Sequence, residues 1–366
     1  MDALILKVDG QQYAGWKEVS IERGIEQIAG QLRVAVTDKW PNQVEPRPIV
    51  NGAKVEVLIG ADLIMTGYVD KANPSFDERS TRFEVVARDV TADLADCSAQ
   101  FKTGQWRNST IKQIATDLIS AYKIELVITP NAEKAATAKI GSFNIEEGET
   151  VFDCLDRLCK IKALMMWTVG DGKLIIGLPG QNKSEVGLEQ GVNLLRLTPD
   201  LSHAERYSEY IVKGQGRAAH GKKSHALKDT VKDAAITRHR PLIILAEDHN
   251  DGHTPHERAV HEQITRMGKG NRMSARVQGW RQKTGGALWL PGLLVSVDSD
   301  YCRYHGELMI ARVVYIKSEN EGTVCDLELA DAHAFDRLSE NKQDKTHKAK
   351  KRGRSHKRTE KDMGAL

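Results

Sequence analysis

The sequence has no run of apolar residues near the roughly 20 that a membrane-spanning helix needs. Its first residues, 1–7, lack a cationic start and alternate as a strand does, so they do not predict a secretory signal peptide. We therefore expect a protein without membrane insertion that is made, and stays, in a soluble compartment of the producing cell.

The chain is also poor in cysteine, and the few it has follow no pairing pattern. No two of them have CxxC spacing, and their number is odd, which argues against both a disulfide framework and a zinc site. We expect free thiols packed as small hydrophobic groups in a reducing compartment. The five are Cys97, Cys154, Cys159, Cys302 and Cys325.

Familiar catalytic motifs are missing as well. The sequence has no GxSxG nucleophile elbow and no GxxxxGK[ST] phosphate loop. Residues 214–219 match the GxGxxA pattern of dinucleotide-binding proteins, but the polar segment 220–225 follows where that fold requires an apolar helix. We interpret the segment as a flexible loop that leaves a strand, and we expect no cofactor.

Four histidines lie close together in sequence: His249, His253, His256 and His261. Neutral imidazole is a good zinc ligand, and both His256 and His261 begin a string like HExxH. Both strings lack the second histidine that would place two ligands on one helical face, and no cysteine is near. We interpret these residues as solvated loop and helix-start histidines and predict no metal site.

An acidic group, Glu146, Glu147 and Glu149, precedes a predicted helix. Negative charge is favourable near a helix N-terminus, so a structural role is sufficient. The separation of a catalytic carboxylate pair is a property of the fold and follows no spacing in sequence. We name no catalytic, cofactor-binding, metal-binding or interface residues and interpret the chain as a structural protein rather than an enzyme.

Charge is distributed unevenly along the chain. Residues 339–366 contain ten lysines and arginines against four acidic residues, which gives this segment +6. Because the formal net charge is +3, the residues before it carry −3. The segment has no aromatic residue, so it would contact phosphates without reading bases. Two interpretations stay open: a disordered, solubilising tail, or an electrostatic arm for a partner or nucleic acid.

The first 91 residues predict six short strands, several of them separated by turn signals such as Asp9-Gly10 and Asn51-Gly52. Apolar and polar residues alternate along them, which is typical of strands with one buried face. Six such strands at this spacing favour a small antiparallel barrel or sandwich, and we interpret residues 1–91 as a first β-barrel. The predicted strands are 4–8, 16–23, 32–36, 55–59, 63–69 and 82–86.

Helical spacing replaces alternation in residues 92–178. Apolar residues of segment 109–122 follow i, i+3, i+4 spacing and predict a helix capped by Asn108 or Ser109. A second helix is predicted where Thr150 and the aspartate three residues later have capping-box spacing. A predicted hairpin, 165–176, completes a small α+β module.

Strands return after the module and predict a second small antiparallel barrel, formed by residues 179–213 and 272–338. Residues 214–271 would be an insertion, with an exposed excursion followed by one helix that starts at Thr254-Pro255 and stops at Gly268. The expected architecture is mainly β, with two barrels, an α+β module between them and an insertion in the second. The later strands are predicted at 207–213, 241–246, 273–282, 293–298, 308–317 and 323–330.

This order of parts resembles the baseplate hub proteins of contractile-tailed phages, and most closely the Mu-like ones. Three stretches carry the resemblance: Gly15-Trp16 before an alternating strand, Leu290-Pro291-Gly292 at the entry to a late strand, and the ending 324–330 followed by Ala334-Phe335. The resemblance covers roughly residues 2–338. Its specificity lies in the order of the motifs rather than in any one of them.

The resemblance implies a homotrimer in which two barrels per subunit form a ring with sixfold-like symmetry. Such a ring adapts the hexameric tail tube to a trimeric membrane-piercing spike, contacts other baseplate proteins and lets DNA pass during ejection. It also implies a place in the tail baseplate of the virion, after assembly in the host cytoplasm. Two alternatives stay open: a cell-wall hydrolase of the tail tip, and a nucleic-acid-binding protein that acts through residues 339–366.

Overall fold

The computed structural model describes residues 3–36, 49–78, 81–214, 227–246 and 255–338. Strands predominate over helices across these ranges, which agrees with the mainly β class expected from sequence. Within the same ranges, no helix has both the length and the apolar character needed to cross a membrane.

The N-terminal part consists of seven strands whose alternate residues face one core. In the first strand Leu4, Leu6 and Val8 are buried and the residues between them are half-buried, which is the period-two pattern that predicted it. Six strands match predicted ones, and a short seventh pairs with the first across the Asp9-Gly10 turn. They are β1 Leu4–Val8, β2 Gln11–Tyr13, β3 Glu18–Gly24, β4 Gln31–Val36, β5 Lys54–Ile59, β6 Asp62–Phe76 and β7 Thr81–Asp89.

Strand β6 extends well beyond the predicted segment 63–69. It continues to Phe76 because it stays paired with β7 through a register shift next to Val69. Most side chains beyond that shift are exposed, so the apolar alternation that predicts strands is missing there. Backbone hydrogen bonds, which leave no apolar signature in the sequence, maintain this half of the strand.

Residues 92–178 form four helices around a core that is largely their own, with two small sheets, β10–β8 and β11–β12–β9. The core includes Leu118, Leu155 and Ile176, all almost completely buried. In chain order the elements are α1 Ala92–Asp96, β8 Gln105–Thr110, α2 Ile111–Ile119, a 3-10 turn at Ser120–Tyr122, β9 Leu126–Ile128, α3 Glu133–Ala136, β10 Lys139–Asn144, α4 Val151–Lys160, β11 Met165–Thr168 and β12 Leu174–Gly177.

The structure confirms one of the two predicted helix caps and corrects the other. Thr150 caps α4, because its hydroxyl oxygen accepts a hydrogen bond of 3.1 Å from the backbone N–H three residues later. Helix α2 is capped in the same way by Thr110, not by Asn108 or Ser109. The latter two belong to β8, which runs directly into the helix. The predicted hairpin is confirmed as β11–β12.

Ten further strands and one long helix follow the module. Seven of these strands join β1–β7 in a single 14-stranded sheet. The elements are β13 Asn182–Lys183, β14 Leu188–Glu189, β15 Leu194–Leu201, β16 Glu209–Gly214, β17 Leu227–Lys232, β18 Pro241–Ala246, α5 Pro255–Lys269, β19 Asn271–Gln278, β20 Leu293–Ser299, β21 Tyr304–Ser318, β22 Gly322–Ala330 and a final 3-10 turn at Ala332–Phe335.

The large sheet connects the N-terminal and C-terminal strand sets without interruption. Its main order is β15-β19-β22-β21-β3-β4-β7-β6-β5-β1-β2, with β20 beside β21 and both β13 and β14 beside β20. The junction is the antiparallel pair β21–β3, where Tyr315 lies opposite Ile21. One apolar core includes residues of both sets. Pairing within the described ranges leaves this sheet open, so two separate closed barrels stay a prediction.

Strands β16–β18 form a separate three-stranded sheet, ordered β17-β16-β18, that packs on α5. We predicted segment 207–213, which covers most of β16, as a strand of the second barrel, but β16 lies in this small sheet instead; β18 falls within the predicted insertion 214–271. The two strands pair with each other, and Tyr210 and Val212 are buried beside Ala259 of the helix. Strand β17 lies within the predicted excursion, and the sequence did not reveal it because charged residues interrupt its apolar pattern.

Helix α5 begins at Pro255, as predicted, but continues past the predicted stop at Gly268; Thr254 lies outside the described residues. Gly268 is buried within the helix, and a Cβ atom at this position would lie 2.4 Å from the backbone nitrogen of Ala334. The glycine therefore allows the helix to contact the C-terminal turn closely; it does not end the helix.

Candidate functional site

The five cysteines are distributed over the structure, and none forms a disulfide. Burial raises the pKa of the Cys154 and Cys159 thiols to about 12 and that of Cys325 well above its ordinary value. Thiols with such values do not ionise at neutral pH and behave as small apolar groups. Cys97 is exposed and Cys302 is half-buried.

The acidic group before α4 has structural contacts. The Glu149 carboxylate accepts hydrogen bonds from Arg157 at 2.6 Å and from the backbone N–H of Glu146 at 2.7 Å. Burial raises the pKa of Glu149, but these hydrogen bonds outweigh it, so the pKa lies below its ordinary value. The contacts close the turn that leads into the helix.

Of the four histidines considered as metal ligands, two lie outside the described residues, His249 and His253. The other two have different partners. His256 Nδ1 lies 3.2 Å from an oxygen of Asp229, and His261 Nε2 lies 3.0 Å from the backbone oxygen of Asp336. Of the GxGxxA segment, Gly214 ends β16 and residues 215–219 lie outside the described ranges, as do residues 339–366.

A buried ion pair of the large sheet lies where this sheet contacts the α+β module. The side chains of Arg23 on β3 and Asp89 on β7 are 4% and 0% exposed, and their nearest N and O atoms are 3.5 Å apart. Arg23 also donates to Thr168 Oγ1 of β11 at 3.0 Å and to the backbone oxygen of Ile64, and Asp89 accepts from the backbone N–H of Gly30 at 2.7 Å. Burial raises the pKa of Asp89, whereas Arg23 and these hydrogen bonds favour its charged form.

Close backbone contact reinforces the same junction. Gly170, in the turn of the β11–β12 hairpin, lies against β6 so closely that a Cβ atom there would be 2.3 Å from the backbone oxygen of Leu63. Thr66 Oγ1 donates a hydrogen bond of 3.2 Å to the backbone oxygen of Gly170. The hairpin is therefore fixed on the sheet by the hydrogen bonds of Thr168 with the buried ion pair and by a backbone contact that only glycine permits.

A cavity of about 590 Å³ lies beside this junction, where the N-terminal strands, the module and the C-terminal strands meet. Two of its lining residues, Leu63 and Leu290, are 38% and 43% exposed. The ionisable lining groups are Arg23, paired as described, and Asp62 and Arg281, which pair with each other at 2.7 Å. An apolar lining with paired charges suits packing against another surface better than acid–base chemistry.

The strand edges are the surfaces most suited to assembly. Strands β2 and β15 are the ends of the main order of the large sheet, and Leu195 and Leu201 of β15 are more than half exposed. In the small sheet β18 is an edge, and its Ile243 and Leu245 are 54% and 67% exposed. An open edge with exposed apolar residues pairs with another chain unless it is covered.

Ion pairs connect neighbouring strands of the large sheet, including those at the β3–β21 junction. Arg312 of β21 pairs with Glu22 of β3 at 2.7 Å and with Glu328 of β22. Arg276 of β19 pairs with Asp326 of β22 at 2.6 Å. Cross-strand pairs of opposite charge favour this strand order, so they help to hold the two strand sets together.

Family models for phage tail proteins match four parts of the chain. Residues 3–89 match "Mu phage baseplate assembly protein GpP-like, N-terminal", 91–178 match "Baseplate hub protein gp44-like, second domain", 206–260 match "Tail protein NMB1110-like, third domain", and 252–338 match "Mu phage baseplate assembly protein GpP, fourth domain". The fold and these matches define the class of the chain: it is a tail protein of the phage baseplate.

Individual relatives narrow this class. The chain is 33% identical to the baseplate hub protein gp44 of Escherichia phage Mu over 342 residues, which are 91% of this chain and 89% of gp44. The 43 kDa tail protein of prophage MuSo2 from Shewanella oneidensis superposes with a TM-score of 0.80 at 29% identity, covering 92% of this chain and 99% of that one. A tail protein from Neisseria meningitidis has a TM-score of 0.75 at 22% identity, covering 93% and 99%.

The chain therefore belongs to the baseplate hub protein family of Mu-like phages, as its resemblance indicated.

Proposed function

We propose that this protein is a non-enzymatic structural hub that assembles as a homotrimeric ring in the tail baseplate of the virion. The ring adapts the tail tube to a central trimeric spike, contacts other baseplate proteins and lets DNA pass during ejection. Assembly takes place in the host cytoplasm. The observation that carries the proposal is the continuous 14-stranded sheet, in which one core serves both strand sets and the ends of the strand order are open.

Open strand edges supply the physical reason for a ring. An uncovered edge would recruit further chains without limit, whereas cyclic symmetry covers each edge with the next copy and ends the growth. The ion pair of Arg312 with Glu22 across the β3–β21 junction supports the same arrangement, since it helps to hold both strand sets of one subunit together as a unit.

We also propose the division of the chain that suits this role. Residues 1–91 form one barrel-like part, 92–178 the α+β module, and 179–208 with 272–338 the second barrel-like part. Residues 209–271 are an insertion that includes β16, which corrects the predicted start at 214, and 339–366 are a basic tail. The buried Arg23–Asp89 pair supports a fixed orientation of the module on the first part.

The experiment that tests this proposal is the solution mass of the purified full chain by light scattering at micromolar concentration. A trimer of the 40.7 kDa chain has a mass of about 122 kDa, three times that of the monomer. A strict monomer under these conditions would overturn the ring. Loss of turbidity when the protein meets purified peptidoglycan would instead support a cell-wall hydrolase.

A further inference from the structure

The hairpin β20–β21 carries a cluster of potential metal ligands that the function of a hub does not require. Asp298 near the end of β20, Asp300 in the turn and His305 at the start of β21 each offer one potential ligand atom, and these atoms lie within 4.8 Å of one another. Among the described residues no other such group of three or more histidine, cysteine or carboxylate side chains occurs.

The backbone fixes the positions of these three residues. Asp298 and His305 lie directly opposite each other in the antiparallel ladder, so their side chains share one face of the hairpin. The turn between them is closed by a hydrogen bond of 3.1 Å from the backbone N–H of Arg303 to the backbone oxygen of Asp300. A side chain from outside the hairpin, Gln190, accepts from Ser299 Oγ at 2.7 Å and from the backbone N–H of Tyr301 at 3.2 Å.

The two ring nitrogens of His305 have different roles. Nδ1 lies 2.6 Å from Asp298 Oδ1, and because a carboxylate only accepts, Nδ1 carries the hydrogen and Nε2 of the neutral ring has its lone pair available. Nε2 lies 3.6 Å from Asp300 Oδ1, which is too long for a hydrogen bond. Two ligands of one tetrahedral zinc ion at bond lengths of about 2.0–2.2 Å are about 3.3–3.5 Å apart, so this spacing suits an ion between them.

We propose that Asp300 and His305 bind a divalent transition-metal ion such as Zn²⁺, and that Asp298 orients the imidazole without binding the metal. A carboxylate that accepts from the second ring nitrogen is the usual partner of a metal-bound histidine, since it fixes the tautomer and ring direction. One nitrogen and one oxygen ligand are the donors that Zn²⁺ accepts. All three side chains are exposed, so water can supply the remaining ligands.

The chain offers a matched control for this site. His333 also pairs with an exposed carboxylate, because its Nδ1 lies 2.8 Å from Asp336 Oδ2. The pair has no counterpart of Asp300 within ligand distance of the second ring nitrogen. His333→Ala therefore removes an exposed histidine–aspartate pair without removing the proposed site.

The test is isothermal titration of the full chain with ZnCl₂, with His305→Ala, Asp300→Asn, Asp298→Asn and His333→Ala as variants. We expect His305→Ala and Asp300→Asn to lose one saturable site per chain relative to the unsubstituted protein. Asp298→Asn should keep this site with affinity about 10–100-fold weaker, which is the usual effect of removing an orienting partner. His333→Ala should match the unsubstituted protein.

Several outcomes would overturn the proposal. One is an equal Zn²⁺ stoichiometry in His305→Ala and the unsubstituted chain, which would assign any binding to other histidines. Another is an equal loss in His305→Ala and His333→Ala, which would reveal unspecific binding to exposed imidazoles. Because all the substituted side chains are exposed, the light-scattering mass of every variant should be unchanged, so this test is independent of trimer formation.

Discussion

Removal of the Asp89 carboxylate should lower the free energy of unfolding more than removal of a surface ion pair does. In the Asp89→Ala variant the guanidinium of Arg23, only 4% exposed, would keep its charge in a buried position without its partner. Breaking a buried pair in this way costs about 3–5 kcal/mol. The backbone N–H of Gly30 and the hydroxyl of Thr168 would also lose an acceptor, which adds to the cost rather than offsetting it.

An exposed pair with a shorter N–O distance than the buried pair supplies the control. Glu18 and Arg82 are 2.6 Å apart, but both side chains are about half exposed. Glu18→Ala should therefore cost below about 1 kcal/mol, because water replaces the lost partner. The comparison separates the effect of burial from the effect of losing an ion pair.

The assay is the free energy of unfolding from urea denaturation at pH 7, for the two single variants and for the double variant Arg23→Met with Asp89→Ala. Because the double variant no longer buries an unpaired charge, it should be more stable than Asp89→Ala alone. In Asp89→Ala, amide hydrogen exchange in the β11–β12 hairpin should also be faster than in the unsubstituted protein, because Arg23 contacts this hairpin through Thr168. Equal costs for Asp89→Ala and Glu18→Ala would refute the argument from burial.

Three further predictions concern other parts of the chain. Gly268→Ala should lower the free energy of unfolding by about 1–3 kcal/mol, measured by urea denaturation, because its Cβ would overlap the backbone of Ala334. The lowered pKa of Glu149 stabilises the fold above its ordinary pKa of 4.5, and this stability is lost as the pH falls through the folded-state value. Glu149→Gln should therefore reduce the stability difference between pH 7 and pH 3, measured by urea denaturation at both. Deletion of 339–366 should abolish any salt-dependent DNA binding in a filter or fluorescence assay; binding that persists would place the DNA contact elsewhere.

The strands could be predicted from sequence where one of their faces is buried. Strands β1 and β5 alternate because each has one buried face, and β4 alternates as far as Val34 before both of its faces become buried. The predicted bounds of all three lie within a residue of the observed ones. The extension of β6 and the whole of β17 depend on backbone pairing between exposed or charged residues, so no apolar pattern marks them. Alternation shows that a residue lies in a strand but not which strand pairs with it. The pattern of 207–213 therefore could not distinguish the second barrel from the small sheet in which β16 lies.

One residue in the sequence does indicate the buried junction. Arg23 has the same parity as Val19 and Ile21 in β3, which places a charged residue on the buried face of a strand. Such a position requires a partner, although the sequence does not indicate that Asp89 supplies it. The cluster at the β20–β21 hairpin could not be predicted from sequence for a related reason. The pairing of Asp298 with His305 depends on the strand register, which the turn determines.

The β3–β21 pairing also has a consequence for the time at which the protein folds. Gly24 pairs with Arg312, so a strand made early in synthesis waits for one made near the end. At roughly 5–20 residues per second, a ribosome needs on the order of 15–60 s to make the chain between them. During this interval the nascent chain leaves one edge of β3 unpaired, although β4 can cover the other edge. Several ribosomes on one messenger would bring such edges close together. Interrupted synthesis should therefore yield aggregates rather than partial hubs.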